Sequence, residues 1–129
     1  MREYLFRGKM IANGKWSEGN LLVTKRGCCI TPDATVLGSY GAVDPETVGQ
    51  YTGLTDKNGT KIFEGDIVKY GDTVHNNVVF EQRNGTAYFG LVYSTLETLS
   101  FGYYQDLKQI EVIGNIYDNP ELLGDEEND

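Results

Sequence analysis

The stretch that decides the fold is Gln50-Tyr51-Thr52-Gly53-Leu54-Thr55-Asp56-Lys57-Asn58-Gly59-Thr60-Lys61-Ile62-Phe63-Glu64-Gly65-Asp66-Ile67-Val68. It contains two short apolar-alternating segments, as strands are. Between them stands Asp56-Lys57-Asn58-Gly59, a turn in which Asn-Gly supplies the backbone freedom a hairpin needs. Glu64-Gly65-Asp66 then turns the chain into a fresh strand. The stretch is dense in backbone instruction and poor in reactive side chains.

Further strands are expected on either side. Glu3–Arg7 opens the chain, and Asn20–Thr24 with Cys28–Thr31 form a hairpin around Lys25-Arg26-Gly27. Asn13-Gly14 is a turn, and residues 32–41 read as a loop. Asp66–Tyr70, Asn77–Gln82, Thr86–Tyr93, Thr98–Tyr104 and Ile110–Tyr117 are five strand candidates. Asn84-Gly85 joins two of them, and Val78/Phe80 and Ala87/Phe89/Leu91 mark an inward face. Asp44-Pro45-Glu46-Thr47-Val48-Gly49 reads as a short helical turn capped by Asp44 and closed by Gly49. Asn119-Pro120-Glu121-Leu122-Leu123-Gly124 repeats that grammar. Five short strands in so small a span leave fewer exposed edges if they close on themselves. The expected fold is therefore mainly β: an N-terminal β-hairpin layer over residues 1–43, a small SH3-like barrel over 44–123, short helical turns, and an acidic tail at 124–129.

Charge narrows the function classes. The net charge is −8, and four of the acids are Asp125, Glu126, Glu127 and Asp129, so the rest of the chain carries −4. A negative body repels phosphate backbones and disfavours nucleic acid as a partner. No basic-then-apolar leader opens the chain, and no apolar run approaches the roughly 18 residues of a spanning helix. A soluble cytoplasmic protein that does not engage membrane is expected. The two cysteines, Cys28 and Cys29, are adjacent, which suits reduced thiols better than a disulfide or a metal cage.

Candidate chemistry is sparse. An EF-hand counted from Asp56 would need Gly at its sixth place and Glu at its twelfth, where Lys61 and Ile67 stand. Glu64 and Asp66 would share a face on a strand and could ligate a metal, but a turn with the carboxylates on backbone N–H groups is the simpler reading. His75 is the only histidine and falls in Gly71–Asn77, which reads by composition as a loop, so a surface residue is expected. The sequons Asn58-Gly59-Thr60 and Asn84-Gly85-Thr86 read as turns. No catalytic or metal site and no cofactor is expected. The binding candidates are Tyr88, Tyr103 and Tyr104, within an aromatic-rich half that could stack bases or grip a peptide and could equally fill the core. In the nucleic-acid alternative, Lys57, Lys61 and Lys69 would meet phosphate.

Asp44–Leu54, Asp56–Gly59 and Ile62–Val68 resemble the central segment of the YopX family of phage and prophage proteins. Glu111–Leu123 is similar to that family's ending, and Arg2–Arg7 to its opening, with Met10 and Trp16 placed accordingly. The resemblance spans nearly the whole chain, most closely at its centre and end. It implies a phage-encoded protein of Gram-positive bacteria with an SH3-type second half. It further implies homo-oligomeric assembly in pentameric rings or larger, and no established activity. The leading expectation is thus a non-enzymatic, self-associating interaction protein whose partners are itself and a host or phage protein. A metal-dependent enzyme using Glu64 and Asp66 is the remaining alternative.

Overall fold

The computed structural model describes residues 4–31, 41–70, 74–83, 86–94, 97–100 and 109–123. Residues 32–40 of the loop expected over 32–41, the acidic tail and the two tyrosines Tyr103 and Tyr104 lie outside the described residues. Eleven strands are described: β1 Phe6–Lys9, β2 Trp16–Thr24, β3 Gly27–Thr31, β4 Ala42–Val43, β5 Gly49–Thr55, β6 Lys61–Phe63, β7 Asp66–Tyr70, β8 Val74–Arg83, β9 Thr86–Ser94, β10 Glu97–Ser100 and β11 Ile110–Asn115. A 3-10 turn, Pro45–Thr47, lies between β4 and β5. The chain divides into two compact units, Met1–Gly53 and Leu54–Asp129.

In the first unit the antiparallel order is β4-β3-β2-β1-β5. The expected hairpin forms with Leu22 opposite Cys29, Val23 opposite Cys28 and Thr24 opposite Gly27. Ile30 and Val43 are buried, and the bare Gly8 backbone lets Val43 approach so closely that a Cβ there would meet its side chain at 3.0 Å. Arg7 pairs with Gly49 and Phe6 with Gln50, so the segment from Asp44 to Gly53 belongs with the N-terminal strands.

The 3-10 turn is built as its sequence dictates, with one difference. Asp44 accepts a hydrogen bond from the Glu46 N–H at 3.0 Å, and Pro45 takes the first position, where no N–H is needed. The turn is closed by Val48, in extended backbone, whose N–H reaches the Pro45 carbonyl; Gly49 instead starts β5. Thr47 locks the turn onto β1, accepting from the Lys9 N–H at 2.9 Å and donating to the Asp44 carbonyl at 2.7 Å. Asp44→Ala is expected to lower stability by about 1 kcal/mol, the usual worth of a cap. A urea titration reads it, and an unchanged midpoint would show that Thr47 alone holds the turn.

In the second unit the larger sheet is antiparallel in the order β10-β9-β8-β7-β11. Its core is Ile62, Val68, Val78 and Ile110, with Leu54, Phe89 and Val112 against them. The register sets Phe80 opposite Phe89 and Val78 opposite Leu91, and Val78 and Phe89, two of the residues read as facing inward, both join this core. The short β6 lies beside the last residues of β5, Leu54 and Thr55, on the other side of the Asp56 turn.

The expected closed SH3-like barrel is not what these strands form. β10 and β11 are the two ends of an open order. The reason lies on β11, where a loop occupies the position that a closing strand would need. The Lys57 N–H donates to the Ile110 carbonyl at 2.9 Å, and the Val112 N–H donates to Asp56 Oδ2 at 2.9 Å. Those groups belong to the outer edge of β11, since its other edge pairs with β7. Covering an edge with a loop removes the same exposed N–H and C=O groups that closure would remove.

Candidate functional site

The polar residues of the 50–68 segment converge on backbone. Asp56 is 6% exposed. Its Oδ1 accepts from the N–H groups of Asn58 at 2.8 Å and Thr60 at 2.9 Å, while Oδ2 takes the Val112 N–H. The Asp56 N–H itself donates to the Thr60 carbonyl, and the Gly59 N–H to the Asp56 carbonyl. Gly59 holds φ +83°, a conformation in which a side chain would be strained. One carboxylate therefore shapes its own turn and clamps that turn to a strand 56 residues away.

Two further polar clusters follow the same plan. Asp66 is 2% exposed, and its Oδ2 accepts the Phe63 N–H at 2.7 Å across the Glu64-Gly65 turn. Glu64 lies in that turn and Asp66 at the head of β7, so the paired-carboxylate reading loses the common strand face it required. Gly65, at φ +93°, donates to the Val78 carbonyl at 2.8 Å and accepts from the Ile116 N–H at 2.9 Å. At the chain's end, Asn115 Oδ1 accepts from the Tyr117 and Asp118 N–H groups, and Asn119 Oδ1 accepts from the Asn115 N–H at 3.2 Å. The Asn119 turn was expected to cap the amides that follow it; its carboxamide instead reaches back to the end of β11.

Burial is the largest single influence on the Asp56 carboxyl and opposes its ionisation. The hydrogen bonds from Val112, Thr60 and Asn58, with the nearby Lys57 charge, outweigh it and hold the group below the ordinary carboxylate value. A depressed folded pKa gives stability that is complete above the unfolded value of about 3.9 and is lost as pH falls through the folded value. The urea midpoint is therefore expected to carry an acid limb below about pH 4 that Asp56→Asn flattens. Parallel acid limbs in the two proteins would contradict it.

The lysines proposed for phosphate contact have acidic company. Lys57 Nζ lies 3.7 Å from Glu111 Oε1, in a partly exposed pair worth at most about 1 kcal/mol. Lys69 stands opposite Glu111 on β11 and opposite His75, which lies on β8 and not in the loop its composition suggested. Lys61 is exposed at the head of β6. Of the tyrosine candidates, Tyr88 is placed on β9 at the register position opposite Glu81.

Sequence reasoning passed over a cluster in the first unit. Arg7 and Lys9 alternate on β1 opposite Glu18 and Trp16, and both cations reach the Trp16 ring, at 4.6 and 5.8 Å from its centre. Their spacing of two on a strand was the available signal. Among the described residues, no group of three or more His, Cys, Asp or Glu is placed to hold a metal ion, and no helix is long and apolar enough to cross a membrane.

No curated protein matches the chain. A solved structure described as the crystal structure of protein EF1440 from Enterococcus faecalis is similar along almost all of both chains. The TM-score is 0.60 and the identity 25%, covering 95% of this chain and 99% of that one. The family model described as YopX protein matches residues 6–124, which takes in all three polar clusters and the strands they join. The chain belongs to the YopX family.

Proposed function

We propose that this protein is a non-enzymatic accessory protein of phage or prophage type, acting in the bacterial cytoplasm by binding other proteins and by self-association. The observation that carries the reading is the use made of the polar residues in the family's central and closing segments. Asp56, Asp66, Asn115 and Asn119 each hold backbone N–H groups in place. A carboxylate poised for acid–base work or metal binding is instead exposed to a cleft or pushed upward in pKa by its surroundings. Asp56 is shifted the other way. What the scaffold then offers a partner is surface.

The exposed apolar side chains support the same reading. Tyr4, Ile11, Leu22 and Val23 are exposed at 64%, 66%, 40% and 67%. All four belong to the first unit. Nucleic acid is the weaker alternative, because Glu111 sits beside Lys57 and opposite Lys69, and a phosphate there would meet its negative charge. Multi-angle light scattering over a wide concentration range tests the proposal. Assemblies larger than one chain are expected, and a single-chain mass at the highest concentration would overturn self-association.

A further inference from the structure

The second half of β2 departs from the pattern of the rest of the sheet. β1 accompanies β2 only as far as Gly19, opposite Phe6. From Asn20 to Thr24 the strand is paired, among the described residues, with β3 alone, and the described strand beyond β3 is the two-residue β4. Leu22 and Val23 are neighbours on a strand, so they belong to opposite faces, and both are exposed. A hairpin solvated on both faces is ordinarily polar, because two strands bury too little apolar surface to stand by themselves. The outer part of this one carries Leu22 and Val23 opposite Cys29 and Cys28, while at its base Ile30, opposite Leu21, is buried.

Its charge is as unusual as its hydropathy. The tip is Lys25-Arg26, and no acid occurs from Gly19 to Pro32. Both basic residues are exposed. The tip is tightly formed, with Thr24 Oγ1 accepting from the Arg26 N–H at 3.1 Å and donating to the Gly27 carbonyl at 3.3 Å. Outside these two bases the chain carries a net −10, four of it in residues 125–129, so the remainder of another copy is opposite in charge to the tip.

We propose that the β2–β3 hairpin is a docking arm, and that it inserts its apolar flanks and basic tip against an acidic surface of a second copy of this chain. This rests on the self-association proposed above and names the surface that performs it. Leu22 and Val23 supply buried apolar area, one on each side of the arm. Lys25 and Arg26 steer and orient the approach, which makes assembly sensitive to salt.

The test is sedimentation velocity on the full chain in reducing buffer, which excludes bridges through Cys28 or Cys29. Wild type is compared with Val23→Asp, with Val23→Thr, which keeps the β-branched shape, and with the double variant Lys25→Glu/Arg26→Glu. Because Val23 is 67% exposed, these chains are expected to fold, and far-UV circular dichroism checks it. Val23→Asp and the charge reversal should each raise the dissociation constant by about tenfold or more at low salt, with Val23→Thr between them and wild type. High salt should weaken wild type and narrow the effect of the reversal. A wild type that assembles as tightly as the reversed variant at low salt overturns the arm and leaves self-association standing. A wild type that is a single chain throughout overturns both. Monomers that instead bind anionic phosphatidylglycerol vesicles through Lys25 and Arg26 would assign the arm to a membrane surface and overturn the proposal.

Discussion

Asp56→Ala is expected to lower the stability of the protein by about 3–5 kcal/mol, a large part of what a domain of this size possesses. The size follows from what the carboxylate does. It receives three backbone N–H groups, from Asn58, Thr60 and Val112, and it is 6% exposed. Alanine would leave three donors without their acceptor in part-buried positions, and each such group costs up to about 1–3 kcal/mol. Two of the three bonds shape the turn and the third fastens it to β11, so the turn and the edge it covers should loosen together. Asn58 Nδ2, 3.5 Å from Glu111 Oε2, is too weak a second fastening to hold them. Asp56→Asn should be milder, because its remaining oxygen still accepts while its amide nitrogen cannot. Chemical denaturation followed by circular dichroism measures both. A loss below about 1 kcal/mol for alanine would mean that the clamp is replaced by water and that the segment's architecture is held elsewhere.

Gly114→Ala is the second large effect, and it comes from one methyl group. A Cβ on residue 114 would lie 2.5 Å from Asn119 Oδ1, 2.8 Å from its Cγ and 3.0 Å from its Cβ. Separations that short do not occur, so Asn119 has to move. Its backbone N–H is bonded to the Asn115 carbonyl at 2.8 Å and its carboxamide to the Asn115 N–H, so it cannot move without breaking the lock at the end of β11. Overpacking and the lost hydrogen bond together predict a loss of about 2–4 kcal/mol. The two residues interact directly, so their effects should not add. In an Asn119→Gly background the obstacle is gone, and the same substitution should cost less than about 1 kcal/mol. Equal costs in both backgrounds would refute the steric account.

These two positions show what could be read from the sequence and what could not. The turn at Asp56-Lys57-Asn58-Gly59, the strand that follows Gly65 and the Thr24–Gly27 hairpin were legible, because local spacing of turn formers and apolar alternation dictates them. The inward face containing Val78 and Phe89 was legible for the same reason. The partnership of Asp56 with Val112 was not, since nothing local to either residue announces an acceptor 56 positions away. That partnership also decided the barrel. Strand count suggested closure, and closure failed because the Asp56 turn already occupied the edge of β11. Asn119 misled in a related way: its sequence grammar matches that of Asp44, but Asp44 caps its own turn and Asn119 serves the preceding strand. Gly49 looked like a helix closer because a helical turn preceded it, and pairing with Arg7 drew it into β5. The cluster of Arg7, Lys9 and Trp16 was visible in principle, but strands scored for apolar alternation conceal an alternation of cations.

The central claim is that Asp56, Asp66, Asn115 and Asn119 are committed to holding backbone, with Asp56 as the chief of them. It is tested most directly by a pH titration followed by nuclear magnetic resonance, observing the Asp56 carboxyl carbon and the Val112 amide proton together. The account predicts a carboxyl that titrates below the usual value of about 3.9, with the Val112 amide shifting along the same curve. A carboxyl that titrates at or above that value, with a Val112 amide indifferent to it, would contradict the account and return Asp56 to the list of groups free for chemistry.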